Sequence, residues 1–396
     1  MHVIFWALLI LFLAGAFFRM NWVYYLVYVV GGVWVFSHFW VRRTLHKLEL
    51  TRTMAHRAFN GEHIDVQTVF TNRSWLPMPW LQVQEAVPLD LKDQPDYRLV
   101  ASLGGHSRLE YNYGLQCKRR GYFTVGPMSL RTSDLFGFVT ARWEESSATQ
   151  LIVYPQVVPL ARLGLPSRSP FGDLASRQQL LEDPARLAGV RAYAAGDNLR
   201  RVHWKASAHA DALLVKKLQP SQAVPVTIVL DMNRAAYPTR ALVGSSEWAV
   251  TVAASIANVL INERQAVGLD TNGFDPLTGA PTVALPQRTG QEQLIALLSL
   301  LARVQIHDAG RDLAAWLPDR FAGLPWGATL IVVTPAVDEA ALWTLHNLYR
   351  RGNKVIVLLC ARQPDVRILA AKAERLGIHV HNTVWEIDLE AFAGVF

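Results

Sequence analysis

Two apolar runs at the start of the chain, Val3–Phe18 and Trp22–Trp40, constrain the fold more than any other feature. Each approaches the roughly 20 residues that cross a bilayer as a helix, the first being somewhat short. Arg19, Met20 and Asn21 alone separate them, so the expected form is a tight helical hairpin over residues 1–41. A cleaved signal peptide with Ala14-Gly15-Ala16 as its processing region is the competing reading. It is the weaker one, because no Lys or Arg precedes the apolar run and a second run follows at once. Trp22, Tyr24, Tyr25, Trp34 and Trp40 supply interfacial anchors, and Arg42, Arg43 and Lys47 outnumber the lone Arg19 of the turn. The positive-inside rule then places both chain ends and the globular part in the cytoplasm, as a two-span protein of a bacterial inner membrane.

The remainder of the 396 residues leaves room for two or three domains. A net charge of +7 suits nucleic acid, anionic lipid or an acidic partner. No nucleic-acid module signature accompanies it, and basic residues beside a bilayer are accounted for by anionic headgroups. The two cysteines, Cys117 and Cys360, stand in different segments and without a CxxC neighbour, which argues against a disulfide framework or a zinc site.

Residues 42–160 have the texture of a β-sandwich. Ile64, Val66 and Thr68 alternate with Asp65 and Gln67, and short runs at Leu81–Gln84, Gly121–Val125, Met128–Arg131 and Leu151–Tyr154 are punctuated by Gly, Pro and Asn. Period-two alternation of this kind predicts antiparallel strands packed in two sheets, immunoglobulin-like without the disulfide. Residues 161–221 hold a linker, Ala161–Pro184, and then a basic segment. Residues 222–396 alternate continuous apolar strands with helices. Strands are expected at Val226–Leu230, Ala266–Asp270, Thr329–Val333, Lys354–Cys360 and His379–Val384. Helices are expected at Ser245–Gln265, Gly290–Arg303, Glu339–Arg350 and Val366–Leu376. That order calls for a parallel, doubly wound sheet, with any ligand at the carboxyl ends of the strands.

The basic segment, Gly189–Pro220, places Asp197, Arg200, Arg201, His203, Trp204, Lys205 and Ser207 among apolar neighbours. It reads as a short helix with Asp197 as N-cap, followed by a strand at Leu213–Leu218. Gly196-Asp197, Arg200-Arg201 and His203-Trp204-Lys205-Ala206-Ser207-Ala208 closely resemble the signature of the DUF58 family. Arg120-Gly121-Tyr122-Phe123, Gly126-Pro127 and Asp134-Leu135-Phe136-Gly137 are similar to the same family's upstream block. The resemblance implies a membrane-tethered protein with a von Willebrand factor A-like domain, working beside a MoxR-type AAA+ ATPase or its client. Family members with a working metal site present Asp-x-Ser-x-Ser after the first strand, a set suited to Mg²⁺. Here the run is Asp231-Met232-Asn233-Arg234-Ala235, so Asp231 and Asn233 are candidate but degenerate ligands, with Thr271 or Thr334 as further oxygen donors.

Asp197, His203, Lys205 and Ser207 include an acid, a base and a nucleophile type. Yet no nucleophile elbow, Walker motif, HExxH or paired-glycine fingerprint stands in the right context, so catalysis is not expected. Two roles remain for Arg200, Arg201, Trp204 and Lys205. They pack the segment onto the α/β sheet with Trp204 as apolar anchor, which is the favoured role, or they contact a partner directly.

Overall fold

The computed structural model describes residues 2–145, 148–160, 182–193, 202–210, 212–220, 225–308, 311–324 and 326–395. The chain divides into two units, Met1–Gln156 with Leu298–Arg303, and Val157–Leu297 with Val304–Phe396.

The first unit opens with helices α1 (His2–Phe18) and α2 (Asn21–His46), which pack on each other as a hairpin. Arg19 takes a left-handed conformation, φ 50°, to turn the chain. Gly15 faces Val23 so closely that an added Cβ would sit 2.9 Å from Val23 Cγ1, and the rings of Phe12 and Tyr24 meet edge to face at 5.6 Å. Small residues at such a crossing let two apolar helices approach. Of the two, α2 is long and apolar enough to cross a membrane, while the apolar helix before it is shorter.

Ten strands follow: β1 (Leu48–Thr53), β2 (Arg57–Phe59), β3 (His63–Asn72), β4 (Met78–Glu85), β5 (Arg98–Leu103), β6 (Arg108–Gln116), β7 (Gly121–Val125), β8 (Met128–Ser133), β9 (Thr140–Glu145) and β10 (Thr149–Tyr154). They form sheets of order β1-β3-β6, β5-β4-β8-β9 and β2-β10-β7. The alternation read in β3 is the alternation of its burial, with Ile64, Val66, Thr68 and Phe70 inside and Asp65 and Gln67 out. Phe70, Leu81, Val83, Met128 and Leu130 form one apolar cluster, and Val66, Leu115, Leu151 and Val153 another. The expected sandwich is therefore present.

A charged pair interrupts this core. The Arg52 guanidinium meets Glu85 Oε1 at 2.5 Å, Tyr113 donates to Glu85 Oε2 at 2.9 Å, and both charged side chains are buried. Burial holds the Glu85 carboxyl above its ordinary value against the pull of Arg52.

The rest of the chain forms β11 (Glu182–Ala192), α3 (Trp204–Ala210), β12 (Leu214–Pro220), β13 (Val226–Leu230), α4 (Leu242–Asn262), β14 (Val267–Thr271), β15 (Phe274–Asp275), β16 (Ala280–Pro281), β17 (Leu285–Arg288), α5 (Gln291–Arg303, whose second half belongs to the first unit), α6 (Leu313–Phe321), β18 (Thr329–Thr334), α7 (Glu339–Arg350), β19 (Lys354–Leu359), α8 (Val366–Arg375), β20 (His379–Asn382) and α9 (Glu386–Val395). Six strands form one sheet of order β17-β14-β13-β18-β19-β20, parallel except for the antiparallel edge strand β17. Val229, Leu330, Val332, Val355, Val357 and Leu359 face a cluster built with α6, α7 and α8. Their alternates, such as Ile228 and Ile331, are equally buried, as a sheet covered on both faces requires. The expected doubly wound layout holds. The additions are β17, α6 and α9, and the physical reasons for missing them are local. Strand β17 is a four-residue edge containing Pro286, and α6 carries Pro318 inside it.

Removing one member of the buried pair should be costly, because it strands a charge in the core. We expect Glu85→Ala to lower sandwich stability by about 3–5 kcal/mol, and Arg52→Met with Glu85→Leu to recover most of the loss. Denaturant unfolding of the full chain in detergent checks this. Equal stability of the single variant and the parent would show the pair to be dispensable.

Candidate functional site

The basic segment folds as a hairpin, β11 against β12, with α3 between them. Val202 bridges Val215, and the His203 amide donates to the Leu214 carbonyl at 2.8 Å, which brings the chain back alongside β12 just before the helix. His203 then caps α3. Its Nδ1 accepts the Ala206 amide at 3.1 Å, satisfying one of the amides that a helix start leaves unpaired. Ser207 closes the unit from the other side. Its Oγ accepts the Leu214 amide at 2.9 Å and lies 3.1 Å from the His203 carbonyl, to which it donates. The base and nucleophile types of the segment are thus engaged with backbone, and Ser207 Oγ makes no bond to the His203 ring.

Trp204 departs from expectation. The packing role assigned to it requires burial, but its side chain is 68% exposed, and α3 buries none of its seven residues. The reason is geometric. The two-turn helix is held by backbone hydrogen bonds through its cap and Ser207, and Trp204 stands at its first position. Lys205 and His209 are exposed beside it. Asp197, Arg200 and Arg201 lie outside the described residues, as does 161–181 of the expected linker. The helix starts at Trp204, later than an N-cap at Asp197 implies.

A second constellation sits at the carboxyl ends of the parallel strands. The strand order reverses around β13, which has β14 on one side and β18 on the other, and this is where an open α/β sheet forms a crevice. Asp231 follows β13 there and is 1% exposed. Its Oδ1 accepts from the Asn233 amide at 3.1 Å and from Asn272 Nδ2 at 2.9 Å, and its Oδ2 accepts from Thr334 Oγ1 at 2.9 Å. Asn272 also accepts the Met232 amide, and Tyr237 donates to the Asp231 carbonyl at 2.6 Å. Burial pushes the Asp231 carboxyl above its ordinary 3.8, opposed by the bonds from Asn272, Asn233 and Thr334.

Asn233 turns its oxygen to the Ala235 amide and its nitrogen to Asp312 Oδ1 at 2.9 Å. Arg234 pairs with Asp308 at the surface, and Thr271 Oγ1 accepts the Gly273 amide. These residues do not fit Mg²⁺, which prefers a set of oxygens free to face it. The Asp231 oxygens are engaged by donors on three sides. Among the described residues no three His, Cys, Asp or Glu side chains stand together as a metal-holding group. Asn272 and Asp312 were not singled out from sequence. The run Asp270-Thr271-Asn272 after an apolar strand is the available signal for the first, while Asp312 precedes the unexpected α6.

Residues 189–358 match a family model described as "Protein of unknown function DUF58". This segment is a DUF58 domain. No curated protein matches the chain. Among solved structures, similarity extends to the CARDB domain of the PF1109 protein from Pyrococcus furiosus, at 10% identity, 27% of this chain, 91% of that one and a TM-score of 0.21. A complex of zinc 2-glycoprotein and prolactin inducible protein from human seminal plasma gives 11%, 26%, 92% and 0.21. The cupredoxin domain of amoB from Nitrosocaldus yellowstonii gives 10%, 27%, 86% and 0.20. Nothing about the chemistry of this chain is taken from them.

Two outcomes follow for the DUF58 domain. Ser207→Ala leaves the Leu214 amide without its acceptor, and we expect local opening to rise by about 1 kcal/mol, roughly fivefold in hydrogen exchange over the peptides spanning α3 and β12. Unchanged exchange there would show the serine bonds to be idle. The second concerns pH. With its carboxyl raised, folded Asp231 keeps its proton above the pH at which the unfolded chain releases it, so this group's contribution to stability is lost as pH climbs through the window that begins near 3.8. Asp231→Asn removes that slope. Relative to the parent, the variant's melting temperature should climb as pH rises from about 4 to 7, and a flat difference would refute the assignment.

Proposed function

We propose that the chain is a non-enzymatic, membrane-anchored docking protein whose recognition element is the exposed face of α3. The single observation that carries this is the 68% exposure of Trp204 on a helix that buries none of its side chains. Exposed tryptophan flanked by cationic residues is the composition of an interface hot spot, where a few aromatic side chains supply most of the binding energy. Against catalysis stands the engagement of His203 and Ser207 with backbone. The partner in this reading is a MoxR-type AAA+ ATPase or its client, which rests on the family resemblance alone.

In the same reading the sheet β13 to β20 is a von Willebrand A-like domain whose metal position is latched shut by Asn272 and Thr334. The helices α1 and α2 are two spans of a bacterial inner membrane with both chain ends in the cytoplasm. Arg42, Arg43 and Lys47 against Arg19 support that orientation.

Full-length chain in nanodiscs, tested against a purified MoxR-type ATPase by biolayer interferometry, separates docking from packing. We expect Trp204→Ala to weaken binding by about 30-fold, the 2 kcal/mol of a hot-spot tryptophan, with the melting temperature unchanged. A stability loss of the roughly 3–5 kcal/mol typical of a core tryptophan would restore the packing role and end this proposal. Millimolar Mg²⁺ should leave the melting temperature unchanged. A Mg²⁺-dependent rise that Asp231→Asn abolishes would replace docking through α3 with a metal-gated adhesion site.

A further inference from the structure

The loop between β8 and β9, Asp134–Phe138, is bound directly to α2. Ser37 Oγ donates to Asp134 Oδ2 at 3.0 Å, inside a buried contact, and the same carboxylate accepts the amides of Phe136 and Val139. Ser37, Val41 and Thr44 form the buried stripe of α2, and the helix packs on β8 and β9. The turn that Asp134 organises leaves Leu135 and Phe136 67% and 64% exposed at its tip, with Phe136 and Phe138 stacked at 5.7 Å.

Depth along α2 says what the tip meets. Its 26 residues extend about 39 Å at 1.5 Å each, some 9 Å more than a hydrocarbon core of about 30 Å. Counted from Asn21, roughly twenty residues of helix reach Trp40, so Ser37 lies about 4.5 Å on the hydrocarbon side of that boundary. Arg42 and Arg43, exposed just beyond, stand at the headgroups. A loop tied to Ser37 is therefore held at the edge of the acyl layer.

The neighbouring strands point the same way. Arg131 of β8 and Arg142 of β9 are register partners, both exposed, and Arg142 also pairs with Glu144 at 2.9 Å. Like charges directly opposite on a sheet repel unless an anion lies between them. Arg131 is three residues, about 10 Å, back from Asp134, within reach of headgroup phosphates through a long side chain.

We propose that Asp134–Phe138 is a second membrane contact: Leu135 and Phe136 insert at the acyl boundary while Arg131 and Arg142 bind anionic headgroups. This rests on α2 spanning the membrane, and the test separates the two. The full chain, spin-labelled singly at Val29→Cys, Phe136→Cys or Leu89→Cys, is placed in phosphatidylethanolamine/phosphatidylglycerol vesicles. Collision rates with oxygen and with an aqueous nickel chelate are then read by EPR. Cys117 and Cys360 are buried, and the three label sites are exposed.

The expected result is high oxygen and low chelate access at 29 and 136, with chelate access at least tenfold higher at 89. Chelate access at 136 equal to that at 89, with 29 in lipid, overturns the loop insertion alone. Low access to both reagents at 136 means protein covers the tip, which overturns it as well. An aqueous label at 29 removes the span and the proposal with it. Near-UV circular dichroism of each variant matching the parent confirms the fold in every arm.

Discussion

A carboxylate taken out of water must find donors, and that requirement shapes the surroundings of three buried acids in this chain. Asp231 is enclosed at the end of the central strand of the DUF58 domain, so the loops after β13 and β14 and the last residue of β18 each bring a donor to it: the Asn233 amide, Asn272 and Thr334. Glu85 is enclosed in the sandwich, so Arg52 and Tyr113 are drawn into the core with it. Asp134 is enclosed at the end of α2, so Ser37 and two loop amides converge there. In each case neighbouring elements converge on one acid.

The Asp231 network shows how the end of β13 is held together around one acid. A carboxylate that receives three hydrogen bonds is worth more to the fold closed than open, since freeing an oxygen for a ligand strands its donor. Where the expected metal pattern would place hydroxyls, this chain has Asn233 and Ala235. Asn233 then joins the latch through Asp312 instead.

Most of the fold was legible in sequence, and the reason is physical. Buried parallel strands read as unbroken apolar runs, and β13, β18 and β19 fall where those runs are; α7 matches its periodicity from Glu339 to Arg350. Alternation in β3 gave the sandwich its inner face. The edge strand β17 is short and polar and escaped for that reason, while α6 escaped despite Leu313, Leu317 and Phe321 at helical spacing, because Pro318 interrupts the pattern. The candidate site was legible only in part. Asp231, Asn233 and Thr334 could be read from sequence, but Asn272, Asp312 and the burial of each side chain could not, because they depend on what lies across from it. Trp204 was expected inside as the apolar anchor packing the segment onto the α/β sheet, whereas it is exposed on α3.

The segment around Trp204 and the loop around Phe136 share one arrangement. In the segment around Trp204 the polar residues His203 and Ser207 are turned inward to backbone, and in the block around Phe136 the acid Asp134 is turned inward to Ser37 and its own loop. Polar side chains are used up in holding short, irregular elements that lack enough apolar contact to hold themselves. Apolar side chains are then left at the tips, where they would be a liability on a free surface. The proposed contacts would cover these side chains, with a bilayer at Leu135 and Phe136 and a protein face at Trp204. On that proposal recognition falls to residues that look like core, while the residues that look like chemistry hold the local architecture.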